Sequence, residues 1–152
     1  MKRLVRPRAA ITAVLAALSL ATPASGGEQT PQQAYEQLSS VRCFAFGGVG
    51  YAGTISEGER AFRAVLASPN AARLFRAALT NGTSEAQLYA LCGLRRLERE
   101  TFDRHAARIL AANPSVRTMS GCMQTDERAS NVVARIGSGQ YDLWLGRQKN
   151  PR

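Results

Sequence analysis

The sequence predicts an all-α domain, and three observations carry that reading. About six stretches place apolar residues at i, i+3, i+4 and i+7, the spacing of helices that each bury one stripe. Alternating β-branched runs that would mark strands are almost absent. The connections are short and fall on helix stops such as Pro69, Asn81-Gly82, Asn113-Pro114 and Gly137. The expected architecture is therefore a small bundle of about six helices, packed as antiparallel pairs, with one Gly-rich loop.

The boundaries come from composition. MKRLVRPR carries Lys2, Arg3, Arg6 and Arg8, and an apolar run from Ala9 to Ala21 and the small residues TPASGG follow. That order is the signature of a secretory signal peptide over residues 1–26. The run is short of the roughly 20 residues that a membrane-spanning helix needs, so no transmembrane segment is expected after cleavage. Residues 27–146 are expected to form a single helical domain, and residues 147–152 a disordered tail. The expected location is secreted or periplasmic. The leader holds four of the 20 basic residues, and the remaining 16 against 11 acidic residues leave a moderate charge of +5.

Taken in order, Thr30 and Pro31 start a first helix, with Ala34, Tyr35, Leu38 and Val41 on its apolar face. Cys43 to Ile55, CFAFGGVGYAGTI, breaks the period and reads as a tight, partly buried loop. Ser56 and Glu59 form an S-x-x-E capping box for a second helix facing inward through Ala61, Phe62, Val65 and Leu66. Pro69 ends it, and a third helix buries Ala71, Leu74, Phe75, Ala78 and Leu79. A fourth, capped by Thr83 or Ser84, is apolar on two faces: Ala86, Tyr89, Ala90, Gly93, Leu94 and Leu97 on one, Leu88, Leu91 and Cys92 on the other. Such a helix has to be covered from both sides. The fifth, from about Glu100 to Ala112, turns Phe102, Ala106, Ile109 and Leu110 inward. Ser115 to Gln124 shows no clear period and is expected to be irregular. A last helix starts near Thr125, with Ala129, Val132, Val133 and Ile136 inward, and Tyr141, Leu143 and Leu145 suggest a strand or strap docked on the bundle.

The segment AQLYALCGL followed by FDRHAARIL resembles a HEAT-like helical hairpin across residues 82–112. The resemblance implies helices packed in antiparallel pairs and carries no function.

Several groups bear on chemistry. Gly48, Gly50 and Gly53 match G-x-G-x-x-G, but a dinucleotide site needs a preceding strand and a βαβ unit, so no cofactor is expected. A Gly-rich loop also serves recognition, and Phe46, Gly48, Val49, Gly50 and Tyr51 are the candidate partner-binding residues. Three cysteines cannot all pair within one chain. Cys43 and Cys122 lie in loop-like segments flanking the helices, and a bridge between them is expected, with Cys92 a buried free thiol. The alternative pairs Cys92 with either loop cysteine. Metal-ligand spacing is lacking for Cys43, Cys122 and His105, so no metal is expected. Arg95, Arg96, Arg99, Arg104 and Arg108 form a candidate basic patch, interleaved with Glu98, Glu100 and Asp103.

The composition and these motifs favour a non-catalytic interaction module for a protein or an envelope component, with no catalytic residue and no nucleic-acid partner expected. A thiol-dependent enzyme or redox protein using Cys92 and His105 is the alternative, and a polyanion binder on the arginine face is a weaker one.

Overall fold

The structure is a computed structural model, and it describes residues 29–146. The expected signal peptide, 1–26, and the expected tail, 147–152, lie outside the described residues. Among the described residues are seven helices: α1 (Pro31–Ser40), α2 (Glu57–Leu66), α3 (Ala71–Asn81), α4 (Ser84–Leu97), α5 (Arg99–Ala112), α6 (Ala129–Gly137) and α7 (Asp142–Gly146). Two antiparallel hairpins accompany them, β1 (Gly48–Val49) with β2 (Thr54–Ile55) and β3 (Ser115–Ser120) with β4 (Met123–Arg128). The domain is thus mostly helical and not purely all-α.

The helix caps follow the sequence. Thr30 and Gln33 exchange bonds in a capping box at α1, and Thr83 accepts the Ala86 N–H at the start of α4. Helix α4 is the centre. Every residue from Leu88 to Leu94 is buried, and it packs against α1, α2, α3, α5, α6 and β3. Two apolar faces therefore find two sets of partners, as the pattern requires. Gly93 is what lets α3 come close, since a Cβ there would lie 2.3 Å from the Phe75 ring. Glu98 alone separates α4 from α5, closing one and opening the other.

The structure corrects the sequence reading in five places. Ser115–Gln124 is regular: β3 and β4 pair from Ser115 with Arg128 to Ser120 with Met123, across a turn made of Gly121 and Cys122. The last long helix consequently starts at Ala129 rather than near Thr125. Tyr141 to Leu145 is mostly the short helix α7, which straps the bundle without adding a strand. Leu97 and Leu110 are exposed, each lying near the C-terminal end of its helix at the edge of the buried stripe. The capping box at Ser56 is only half made. Ser56 accepts the Glu59 N–H at 3.0 Å, but the Glu59 carboxylate turns inward and is wholly buried.

That inward turn organises the Gly-rich segment. Glu59 Oε2 accepts the Gly47 N–H at 2.7 Å, and Oε1 accepts from Arg63. Arg63 also donates to the Trp144 carbonyl at 3.0 Å. Gly47 has φ +86, and a Cβ on it would meet the Trp144 ring at 2.9 Å, so the indole packs directly on the glycine backbone. One buried carboxylate therefore joins the Gly-rich segment, α2 and the C-terminal strap.

Candidate functional site

Phe44, Ala45 and Phe46 are core residues, not loop surface. The Phe44 N–H donates to Arg117 O at 2.8 Å, and the Met119 N–H donates to Phe44 O at 3.1 Å, so Phe44 pairs in parallel with Thr118 on the side of β3 that β4 leaves open. Ala45 is held by Tyr89, whose hydroxyl donates to its carbonyl at 2.7 Å and accepts its N–H at 2.9 Å. The rings of Phe44, Phe46, Tyr89 and Tyr141 pack edge to face or tilted, with centroids 4.7 to 5.4 Å apart.

The β3–β4 hairpin turns one face toward this aromatic floor. Its cross-strand pairs on that face are Val116 with Glu127, Thr118 with Thr125, and Ser120 with Met123. Val116 is buried at the base, while the pairs beyond it project past the helices as a wall. Gln140, Tyr141 and Trp144 stand opposite. Between them lies an open cleft of about 530 Å³. Its volume is within the usual range for small-ligand sites.

The polar base of the cleft is a closed network. Arg135 Nε donates to the Tyr141 hydroxyl at 2.9 Å, another of its nitrogens donates to Glu127 Oε1, and the Thr118 hydroxyl reaches the same oxygen at 2.9 Å. The Arg135 bond holds the Glu127 carboxyl below its ordinary range. Burial pushes the Tyr141 phenol up, so it stays neutral and able to donate.

Of the candidate partner-binding residues, the structure separates core from surface. Phe46 is floor, Gly48 and Val49 are β1, and Tyr51 stands fully exposed at the turn between β1 and β2. The Gly50 N–H donates to Gly121 O at 2.9 Å, which joins this turn to the tip of the β3–β4 hairpin. Tyr51 and Met123, the latter 74% exposed, are the apolar groups of that joined end. The G-x-G-x-x-G segment forms a hairpin leading into α2, with no βαβ unit around it.

The expected Cys43 to Cys122 bridge is not formed; all three cysteines are free thiols. Register gives the reason. Phe44 lies beside Thr118, which places Cys43 beside Arg117, whereas Cys122 is five residues further along at the tip. At about 3.3 Å per residue that is far beyond the roughly 4.4–6.8 Å a disulfide spans. Neither does Cys92 reach a loop cysteine. It is buried in α4, its thiol pushed well above the ordinary value by burial, with Asp142 and Arg95 as its charged neighbours.

His105 faces elsewhere. It lines a separate depression with Leu79, Thr80, Gln87 and Arg108, and its pKa is lowered by desolvation and by Arg108 and Arg104. The structure thus does not bring Cys92 and His105 together. The five arginines are also divided: Arg95 pairs with Asp142, Arg99 with Asp103 and Arg104 with Glu100, while Arg96 and Arg108 have no ion pair among the described residues.

The cleft itself was not anticipated. The available signal was Gly121-Cys122 as a two-residue turn between Thr118 and Thr125, a Gly-X hairpin signature whose strands alternate small polar residues in place of apolar ones. Together, fold and site define a mostly helical domain carrying a β-walled aromatic cleft. No protein family, no curated protein and no solved structure matches the chain.

Proposed function

We propose that this chain is an exported, non-catalytic binding protein that captures a protein or envelope component at the end of the molecule where the two hairpin tips meet the cleft. The observation that carries the reading is the hairpin face beyond Val116, which leaves the core and walls an open cleft over a floor of packed rings. A wall built only for stability would close on that floor. The scaffold belongs to the same proposal: helices paired antiparallel, with the HEAT-like hairpin over residues 82–112 holding α4 under the floor.

The thiol-enzyme alternative has less to support it, because a nucleophilic cysteine needs exposure and a lowered pKa beside its base. Cys92 has neither.

The test is retention of envelope material on the immobilised mature protein, wild type against Tyr51→Ala and Met123→Gln. Both side chains are exposed, so stability should hold while retention falls about tenfold, equivalent to about 1.4 kcal/mol. Equal retention by wild type and both variants would overturn the proposal.

A further inference from the structure

We infer that the outer edge of β4 is the interface of a symmetric dimer, in which a second copy of this chain pairs its own β4 antiparallel with the first, Thr125 lying on the two-fold axis. This goes beyond the binding reading and does not depend on it. Which backbone groups are free follows from β3. Its Arg117 carbonyl and Met119 N–H bond to Phe44, so residues 117 and 119 turn away from β4 and Thr118 turns toward it. Facing residues of an antiparallel ladder share that alternation. Thr125, opposite Thr118, therefore bonds to β3, while Gln124 and Asp126 aim their N–H and C=O groups outward. Both residues are exposed, and those four groups have no partner among the described residues.

Charges on an edge strand are a usual guard against pairing, and those of β4 exclude every self-pairing but one. In a symmetric pair the outward residues bond each other, so the axis passes through a residue position. On Asp126 or Glu127 it would set a carboxylate directly against its own copy, which destabilises a pair. Nearer either end of β4 it would leave Asp126 or Gln124 beyond the partner strand. On Thr125 it sets Thr125 against the partner's Thr125, Gln124 against the partner's Asp126 and Met123 against the partner's Glu127, with no like charges opposed. Thr–Thr and amide–carboxylate pairs can also hydrogen-bond across the strands. A foreign strand would meet the same four backbone groups, but the side-chain match is to β4 itself. Such an axis keeps both hairpins the same face up, so the two clefts open on one side of a four-stranded sheet. The partner's Met123 then lies beside Glu127 on the cleft wall, and a side chain 74% exposed in the single chain gains a neighbour.

The experiment is sedimentation equilibrium of the mature protein from about 1 μM to about 1 mM, with Cys122→Ser throughout so that the exposed tip thiols cannot link copies. The expected result is a reversible monomer–dimer equilibrium. Asp126→Pro removes an outward N–H, leaves the β3 ladder intact and should abolish the dimer. Gln124→Lys, facing the partner's Asp126, should tighten it about fivefold, and Gln124→Glu should weaken it by about as much. Cross-linking reads the register. Facing residues of a non-hydrogen-bonded pair stand about 4.5 Å apart at Cα, within the range a disulfide spans. Thr125→Cys should therefore link to its own copy under oxidised glutathione, two thiols giving one disulfide and two reduced glutathiones, and Asp126→Cys, two residues out of step, should not. A monomer at every concentration, with Thr125→Cys linking no faster than Asp126→Cys, overturns the proposal. A dimer that Asp126→Pro leaves intact overturns the choice of edge. A monomer whose retained envelope material is released by Asp126→Pro gives the edge to a foreign strand and overturns the second copy. Retention and association are read separately, so failure of one leaves the other standing.

Discussion

The hydroxyl of Tyr89, in the central helix, makes two bonds to one residue, donating to the Ala45 carbonyl at 2.7 Å and accepting the Ala45 N–H at 2.9 Å. It thereby fixes the irregular segment that floors the cleft. Ser56 Oγ also donates to the Ala45 carbonyl, at 3.0 Å, so removing the phenol would strand only the N–H. Tyr89→Phe should therefore cost about 1–3 kcal/mol, the penalty of one buried unpaired group, read by urea denaturation. The pH dependence has a definite sign. Burial raises the Tyr89 phenol above its ordinary value, so its contribution is fully present below about pH 10 and is lost as pH rises through the folded-state pKa. Wild type should lose stability as pH rises above about 8.5, where the buried Cys92 and half-buried Cys43 thiols begin to count, and more steeply above about 10; Tyr89→Phe should blunt the part above about 10, leaving the shares due to Cys92, Cys43 and Tyr141.

Glu59 is the residue whose removal should do most damage. It is fully buried and accepts from both the Gly47 N–H and Arg63, so Glu59→Ala leaves a guanidinium and an amide without their acceptor. A cost of about 3 kcal/mol is expected, because the buried Gly47 amide is left unpaired and the charge-assisted bond to the partly exposed Arg63 is lost. Because Arg63 also holds the Trp144 carbonyl, the same variant should shift tryptophan emission to the red under native conditions. Unchanged emission would mean that the strap is held without Arg63.

Gly93→Ala sets two effects against each other. Helix propensity favours alanine by about 1 kcal/mol. The new Cβ, however, would sit 2.3 Å from the ring of Phe75, itself fully buried and unable to swing out. Overpacking of this kind costs about 1–3 kcal/mol, so the net change should be destabilising, with a lower denaturation midpoint. Gly93→Ala combined with Phe75→Leu should recover part of it.

What could be read from the sequence follows from which residues face the core. Helices α2 to α6 were legible because Phe62, Val65, Leu74, Phe75, Tyr89 and Val132 repeat at helical spacing and are buried as that spacing demands. The β3–β4 hairpin was not, because only Val116 of its twelve strand residues is buried and a strand without an apolar face has no period to find. Glu59 misled for another reason. Its position three residues after Ser56 fits a capping box, and only the tertiary placement of Gly47 shows that the carboxylate is spent inward. Within the candidate loop the sequence did not separate core from surface: Tyr51 is exposed and Phe46 is core.

The cysteines should report the hairpin register. Cys122 is exposed at the tip, Cys43 is half-buried and Cys92 is buried. Under native conditions a thiol reagent should modify Cys122 quickly and Cys43 slowly, burial having raised the latter's pKa. Cys92 should react only after denaturation. Mass mapping that found a Cys43–Cys122 bridged peptide in the folded protein would contradict the pairing of Phe44 with Thr118.

The wall of the cleft should come loose in acid. Glu127 accepts from Arg135 and Thr118, and its pKa is lowered chiefly by the Arg135 bond. A carboxyl depressed in the folded state stabilises above its unfolded value of about 4.3, and that contribution is lost as pH falls through the folded-state pKa. Glu127→Gln should be less stable than wild type near neutral pH, and the gap should narrow below about pH 4 as the wild-type carboxyl takes up its proton. Denaturation midpoints across about pH 3 to 7 test this. Because Glu127 and Arg135 join β4 to α6, protonation removes the bond at the base of the cleft while Val116 stays packed. Ligand binding should therefore weaken over the same acid range in wild type, and Glu127→Gln should bind weakly at every pH. A binding constant that stayed level while stability fell would separate the base of the cleft from its ligand site.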